Sequence, residues 1–428
     1  MVGSMLDIKL IRETPEIVEE DLKKRNEFDK IKILYDLIKS DKERRALIQQ
    51  SEDLRRKRNE VTEKISQLKA ERKPVSFLLE EAKDIPNKIK ELEAMLDKLN
   101  SLCRNLLLQI PNILDKSVPV GKDETENVEV RRWGDRKFDF APKNHAEIME
   151  LLNLIDSGRA AKIAGHGFHY LKNELVILDY SIQRFALDFL RERGFVMIEP
   201  PLMMQRKPYE GVVDIKDFET MMYKVEGEDL YLIATSEHPI AAMFMDEVLN
   251  KDDLPIKLAG MSPCFRKEVG AHGKYTRGLF RMHHFNKVEQ FVFCVPNESW
   301  QLHEELQHNS EQLYQQLGIP YRVVNVCSGD IGGIAAKKYD IEFLMADGNY
   351  REIGSNSNCT DYQARRLNIK YRESDGVPPA GFVHTLNNTA LATSRVMVAI
   401  LENYQRSDGT VDMPKTLWPY TGFRRIGQ

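Results

Sequence analysis

Residues Cys264 to Glu289 read C-F-R-K-E-V-G-A-H-G-K-Y-T-R-G-L-F-R-M-H-H-F-N-K-V-E. Arg266 and Glu268 stand two apart, which in a strand puts both side chains on one face. A loop follows with Gly270, Gly273 and Gly278, and with His272, Lys274 and Arg277 among them. A second apolar strand is expected to return through Phe280, Met282, Phe285 and Val288 to Glu289. The pattern predicts a hairpin with a long basic loop. A fixed guanidinium suits phosphate as a bidentate donor. Phe285 offers a flat face for a base, and Glu289 a carboxylate. Taken alone, the stretch equally fits a surface hairpin whose basic loop is merely solvated.

Moving outward, the chain from His145 onward alternates strands and helices. Ile177 to Arg193 reads as an amphipathic helix, with Ile182, Phe185, Ala186, Phe189 and Leu190 on one face. Gly194 to Met203 follows as strand, then turn, through Pro200 and Pro201. Tyr231 to Pro239 is a strand ending in Thr235, Ser236 and Glu237, a pattern that also fits a helix N-cap. Downstream come Lys337–Glu342 and Arg351–Asp361, the second a strand carrying Glu352, Ile353, Gly354 and Ser355. Cys359 beside Asp361 has no partner cysteine or paired histidine nearby and reads as a small buried cysteine. Thr385 to Asn403 is a strand with Asn387 and Thr389, a small-residue turn, and a buried helix that starts at Arg395.

The N-terminal part differs. Residues 6–40 read as a small helical element, with Thr14-Pro15-Glu16 as a helix start. From about Asp41, Leu47, Leu54, Val61 and Leu68 recur every seven residues. Lys73-Pro74 interrupts the helix. Ile85, Ile89, Leu92, Leu96, Leu99, Cys103, Leu106 and Ile110 then alternate steps of four and three, a heptad seam. Two such runs joined by a turn predict an antiparallel coiled-coil arm over about 41–110, on the order of 50 Å long. Pro86 either kinks the second helix or marks its start. Arg55-Arg56-Lys57-Arg58, Lys64, Lys69, Arg72 and Lys73 make the first helix basic. Such a run is a solvated face or a track for a nucleic-acid backbone. The domains expected are 1–111, a linker at 112–144 rich in Pro, Gly and charge, and 145–428.

The chain has 428 residues, 42% hydrophobic and 30% charged, with a formal net charge of −4. That composition fits a soluble globular protein of two or three domains. No apolar run approaches the roughly 20 residues of a membrane span, and no apolar signal core is visible. The five cysteines form no C-x-x-C pair, which disfavours a disulfide framework and fits a reducing, cytoplasmic compartment. A nucleic-acid ligand would need a local basic face, since the global charge is acidic.

The F-R-K-E…G-L-F-R-M-H-H-F-N-K-V-E-Q-F string resembles motif 2 of class II aminoacyl-tRNA synthetases, in the form found in the seryl-tRNA synthetase family. Motif 1 ending at Pro201, the Thr235-Ser236-Glu237 loop, the linker (Val118-Pro119, Trp133-Gly134), the arm, and motif 3 at Arg395 are similar too and occur in family order. The form resembles the archaeal and eukaryotic branch. The fold implied is α+β, a six- to seven-stranded antiparallel sheet with flanking helices plus the N-terminal arm, in a homodimer. The reaction implied is activation of L-serine by ATP and transfer to the 3′ end of serine tRNA and, where it occurs, selenocysteine tRNA. The resemblance implies Arg266 on the α-phosphate and serine carboxylate, and Arg395 on the γ-phosphate, as catalytic residues. It puts Glu352 and Ser355 on Mg²⁺. It puts Phe285 on adenine with Glu268 and Met282, and has Lys267, Ile353 and Gly354 completing the ATP site. Thr235, Ser236, Glu237 and Asn387 fall in the serine site, with Glu289 and Thr389 on the serine hydroxyl. Tyr275 and Met282 depart from the family's usual Asp and Val, and Asn388-Thr389-Ala390 from the bacterial Gly-Ser-Gly.

Overall fold

The structure is a computed structural model and describes residues 6–214, 220–268 and 278–427. The loop residues Gly270, His272, Gly273, Lys274, Tyr275 and Arg277 lie outside the described residues. Chain contacts divide into two units, residues 1–23 with 27–111, and residues 24–26 with 112–428.

In the first unit, α1 (Ile8–Glu13) and α2 (Pro15–Lys24) precede a single long helix, α3 (Asp29–Ala70). Pro15 opens α2, as the Thr14-Pro15-Glu16 pattern requires. The arm helix does not begin near Asp41 as expected. Residues 29–70 contain neither Gly nor Pro, and the buried Leu34 and Leu37 lead without a break into the heptad seam. Past Pro74, α4 (Ser76–Lys83) leads into α5 (Ile85–Leu107), with Pro86 in its first turn. Pro is tolerated there because the first-turn N–H groups have no partner within the helix, so α5 is not kinked. Every seam residue from Leu47 to Ile110 is buried or half-buried. The clamp of this unit is Asp41, whose carboxylate meets Arg12 at 2.7 Å, Arg44 at 2.8 Å and Arg45 at 3.1 Å. The basic cluster is less bare than its sequence. Arg55 pairs with Glu93 on α5 and Lys57 with Glu81 on α4, each at 2.7 Å, and Arg56 with Asp53 at 3.0 Å. Arg58 and Lys64 make no ion pair among the described residues.

The second unit is built on an eight-stranded sheet. Its strands are β1 (Val128–Trp133), β2 (Val196–Ile198), β3 (Ile256–Phe265), β4 (His284–Cys294), β5 (Tyr321–Asn325), β6 (Lys337–Leu344), β7 (Tyr350–Asn358) and β8 (His384–Ala392). They lie in the order β1-β5-β6-β7-β8-β4-β3-β2. All pairings are antiparallel except β2 with β3, which is parallel. The sheet is thus larger than the six or seven strands expected, and not purely antiparallel. One extra strand, β1, comes from the stretch read as a linker. Its six residues are all exposed, and it pairs along one edge only, so no apolar alternation announced it.

Helix α6 (Glu174–Arg191) packs on the sheet through Ile182, Phe185, Ala186, Phe189 and Leu190. Helix α7 (Glu237–Ala241) starts beneath β3. Gly260 permits this, since a Cβ there would stand 2.4 Å from Ile240 and 3.0 Å from the Ser236 hydroxyl. Helix α8 (Ser299–Gln316) covers β8 and β7, and α9 (Thr393–Asn403) follows β8 directly.

Candidate active site

The β3–β4 hairpin forms, but with shorter strands than the sequence suggested. β3 ends at Phe265 and β4 starts at His284, the two paired. Arg266 and Glu268 therefore lie past the strand end, with Glu268 at φ 47°, and Phe280 and Met282 precede β4. The chain leaves strand geometry here because the Arg266 N–H still bonds His283 while the Lys267 N–H turns away to the Met221 carbonyl.

Strand alternation separates chemistry from packing on β4. Gln290 faces α8, where its amide donates to the Ser310 hydroxyl at 3.1 Å and accepts from Asn309 at 2.9 Å. Glu289 and Lys287 face the other way, into a cavity of about 350 Å³. Lys287 Nζ sits 2.5 Å from Glu289 Oε2, with the two side chains 7% and 1% exposed. Thr389, directly opposite on β8, donates to the same oxygen at 3.3 Å. A buried carboxylate needs such partners to remain charged. Gly354 on β7 lies close against this group, since a Cβ there would meet Thr389 at 3.0 Å.

Glu237 shares the cavity. Its N–H donates to the Thr235 hydroxyl at 3.2 Å, so Thr235 both steadies the start of α7 and lines the cavity. Asn387 donates to Glu237 Oε1 at 3.1 Å and Gln363 to the same oxygen at 3.4 Å. Thr385 orients that glutamine through a 2.7 Å bond. Burial, and after it the charge of Glu289, push the Glu237 carboxyl up to about 7, against the pull of Lys287 and Arg266. Glu289 is also raised, by burial, with Lys287 opposing. His238 is held well below the ordinary imidazole range by burial, then by Lys287 and Arg266, and stays neutral.

The other half of the cavity is cationic. Arg266 is anchored by a 3.2 Å bond from Nε to the Ala234 carbonyl and lies 5.3 Å over the Phe285 ring. Arg395, at the start of α9, reaches the Glu352 carboxylate at 3.0 Å and its carbonyl at 2.9 Å, and lies 5.1 Å over the Phe280 ring. Burial would raise the Glu352 carboxyl, but Arg395, Lys338 and Arg266 hold it below its usual value. The Ser355 hydroxyl is 3.4 Å from Glu352 Oε1.

Of the residues expected at the site, Thr235, Glu237, Arg266, Glu268, Met282, Phe285, Glu289, Glu352, Ile353, Gly354, Ser355, Asn387, Thr389 and Arg395 line this one cavity. Two do not. The Ser236 side chain is fully buried beneath β3 and bonds the Gly260 carbonyl at 3.3 Å. Lys267 is not in the lining, and its N–H bonds the Met221 carbonyl at 3.0 Å. Sequence reasoning missed Lys287, although its two-residue spacing from Glu289 carried the signal. It also missed Phe280, His238 and the Ile331–Ala335 loop. The loop bears only apolar and glycine residues and gave no chemical cue.

A strand-built cavity with the motif 2 arginine just past a strand end, a second arginine at a helix start and buried carboxylates between them is the catalytic core of a class II aminoacyl-tRNA synthetase. Residues 220–404 match the tRNA synthetase class II core domain (G, H, P, S and T), and residues 5–114 the seryl-tRNA synthetase N-terminal domain. The serine–tRNA ligase of Methanocella arvoryzae is 54% identical over 97% of this chain and 98% of its own. The crystal structure of seryl-tRNA synthetase from Pyrococcus horikoshii complexed with ATP superimposes with a TM-score of 0.94. It is 49% identical over 98% of this chain and 99% of its own. The cytoplasmic serine–tRNA ligase of Naegleria fowleri in complex with AMP gives 0.86 at 37% identity, over 98% of each chain. The chain belongs to the seryl-tRNA synthetase family, and its activity is that of a serine–tRNA ligase.

Proposed function

We propose that the two halves of the cavity divide the substrates. The acidic half takes serine. Glu237 and Thr235 receive its ammonium, Asn387 lies beside them, and Glu289 with Thr389 reads the hydroxyl. The carrying observation is the buried Lys287–Glu289–Thr389 cluster. Lys287 keeps Glu289 an acceptor, so an amino acid without a hydroxyl leaves a buried charge short of a donor. The cationic half takes ATP. Phe285 stacks on adenine, with Glu268 and Met282 at its rim, and Ile353 and Gly354 form the floor.

Arg266 sits between the halves, where it can hold the serine carboxylate and the α-phosphate together. The carboxylate oxygen attacks the α-phosphorus and pyrophosphate leaves, giving seryl-adenylate. The 3′-hydroxyl of the tRNA then attacks the seryl carbonyl and AMP leaves. Both steps need alignment and charge stabilisation more than proton transfer. Arg395 holds the γ-phosphate until pyrophosphate departs.

Glu352 and Ser355 offer hard oxygens suited to Mg²⁺. Among the described residues no three His, Cys, Asp or Glu side chains gather as a metal cluster, and phosphate oxygens and water would be the further ligands of an ion held by Glu352 and Ser355. A bound Mg²⁺ would neutralise phosphate charge there.

The arm receives the tRNA, through Arg58, Lys64 and their neighbours. A homodimer forms through α6 and the sheet-edge strand β2, where Ile177, Tyr180, Val196 and Met197 are 46%, 68%, 63% and 47% exposed. Apolar residues beside an unpaired strand edge are the ingredients of a large two-fold interface. No helix among the described residues is long and apolar enough to cross a membrane, and we place the enzyme in the cytoplasm.

Pyrophosphate exchange with each of the twenty amino acids tests this reading. Serine should dominate, threonine should follow, and alanine and glycine should be weaker by up to about 10⁴-fold. Alanine exchanging faster than threonine would overturn the role of Glu289.

A further inference from the structure

A second concave surface lies away from the cavity, at the far end of α9 from Arg395. At 1.5 Å per residue, the helix separates the two by about 15 Å. The groove has a volume of about 980 Å³ and is lined by Arg136, Arg406, Lys415, Arg424 and Arg425, with Asp139 and Asp412 as its only acids among the described residues. Asp412 is shared by Arg425 at 2.7 Å and Arg406 at 3.2 Å. Arg136, Lys415 and Arg424 make no ion pair among the described residues, and all three are exposed. A concentration of unneutralised cations stands out in a chain of net charge −4.

Two guanidiniums lie over aromatic rings here, Arg424 at 4.6 Å from Trp418 and Arg136 at 5.3 Å from Phe138. Trp418 is fixed by its indole N–H, which donates to the Met413 carbonyl at 3.1 Å. Stacked guanidiniums keep their planes and donors presented to solvent. Helices α8 and α9 both end at the groove, and their C-terminal dipoles oppose anions. Their terminal carbonyls are partly occupied, however, the Leu317 carbonyl by the Tyr404 hydroxyl at 2.7 Å and the Glu402 carbonyl by Gln405 at 2.9 Å.

We infer that this groove binds the phosphodiester backbone of RNA, independently of base sequence. Uncommitted cations spread along an open groove, with aromatic rings between them, match a chain of phosphates better than one phosphate gripped from several sides. The enzyme's own substrate is such a polyanion, with far more phosphates than a 350 Å³ cavity holds. The inference rests on the ligase reading for RNA as occupant, and the exchange assay below keeps the two apart.

The test uses the full chain carrying Arg136→Gln, Lys415→Gln and Arg424→Gln. Serine-dependent pyrophosphate exchange without RNA should stay within twofold. The Kd for tRNA, by filter binding, should rise at least tenfold, and the slope of log Kd against log salt should fall by about two, as expected for three lost phosphate contacts. An unchanged Kd and slope would overturn the inference. If exchange falls as well, the three single variants decide. Each that keeps exchange within twofold should weaken tRNA binding and lower the salt slope by about 0.7, and an unchanged Kd and slope in all of them would also overturn the inference. Calorimetry with sodium tripolyphosphate separates the sources of phosphate. Groove-dependent binding of tripolyphosphate with tRNA affinity intact would assign the site to a small polyphosphate and reject RNA.

Discussion

Asp41 in the helical unit and Glu237 in the sheet unit are both buried carboxylates, and their surroundings shift them in opposite directions. Burial favours the protonated form of each. At Asp41 that cost is outweighed by Arg12 and Arg44, and the carboxyl titrates at about 2. At Glu237 burial is reinforced by Glu289, and the carboxyl titrates at about 7. Asp41 has its cations in place and serves to join helices. Glu237 has an incomplete set of partners, which a ligand ammonium would complete. Charge around Asp41 is used up in the fold. Charge in the cavity is what the proposed function assigns to a substrate.

The sharpest way to break that contrast is at Lys287, a cation already committed inside the acidic half. Lys287→Met strands Glu289 without its ion pair and should cost about 3–5 kcal/mol of stability, read as a lower denaturation midpoint. Adding Glu289→Gln should restore stability but not serine activation. A single variant as stable as the parent would mean the pair is not structural. Arg266→Ala comes next. It should leave stability nearly unchanged and reduce pyrophosphate exchange by about 10²–10³-fold, as for one lost transition-state donor. Exchange within tenfold of the parent would refute its place between the two substrates.

The smallest effects are the two titrations, which should run in opposite senses. Glu237 is raised in the folded state, so the folded protein holds an extra proton between about pH 4.5 and 7. Its contribution to stability is full below that window and is lost as pH rises through it. The role proposed for Glu237 needs the ionised form, so kcat/KM for serine should climb with pH, half-maximal near 7, and level off about one unit above it. Asp41 is depressed, so its contribution is full above about pH 4 and is lost toward pH 2. Thermal melts from pH 2 to 8, repeated with Glu237→Gln and Asp41→Asn, should each remove one limb. A flat kcat/KM profile for serine between pH 5.5 and 8 would contradict the state assigned to Glu237.

What was legible in the sequence follows from how local each signal is. The heptad seams, the β3–β4 hairpin and the helix after Arg395 rest on spacing within a few residues, and they formed. The departures needed tertiary information. Where α3 begins depends on Leu34 and Leu37 being buried in one continuous helix with the seam, and no residue type marks that. Parallel pairing of β2 with β3 is a matter of topology. Ser236 and Lys267 flank cavity-lining residues, yet Ser236 is buried against Gly260 and Lys267 is not in the lining. The neutralisation of Arg55 and Lys57 by Glu93 and Glu81 depends on which residues face each other across the turn. Lys287 was within reach, being on the same face as Glu289.

The central claim is that the sheet unit carries the chemistry and the arm carries only RNA. The direct test removes residues 46–98 and closes Arg45 to Leu99 with a short Gly-Ser turn. Arg44 already reaches Asn100 at 3.4 Å, so the cut crosses the helix pair at one level and spares the Asp41 clamp. Serine-dependent pyrophosphate exchange and tRNA serylation are then measured on one preparation at two salt concentrations. Exchange should stay within about twofold of the parent, while serylation falls at least a hundredfold and loses much of its salt dependence. If both activities fall together in a protein that keeps its fold, the arm belongs to the catalytic unit and the division is wrong.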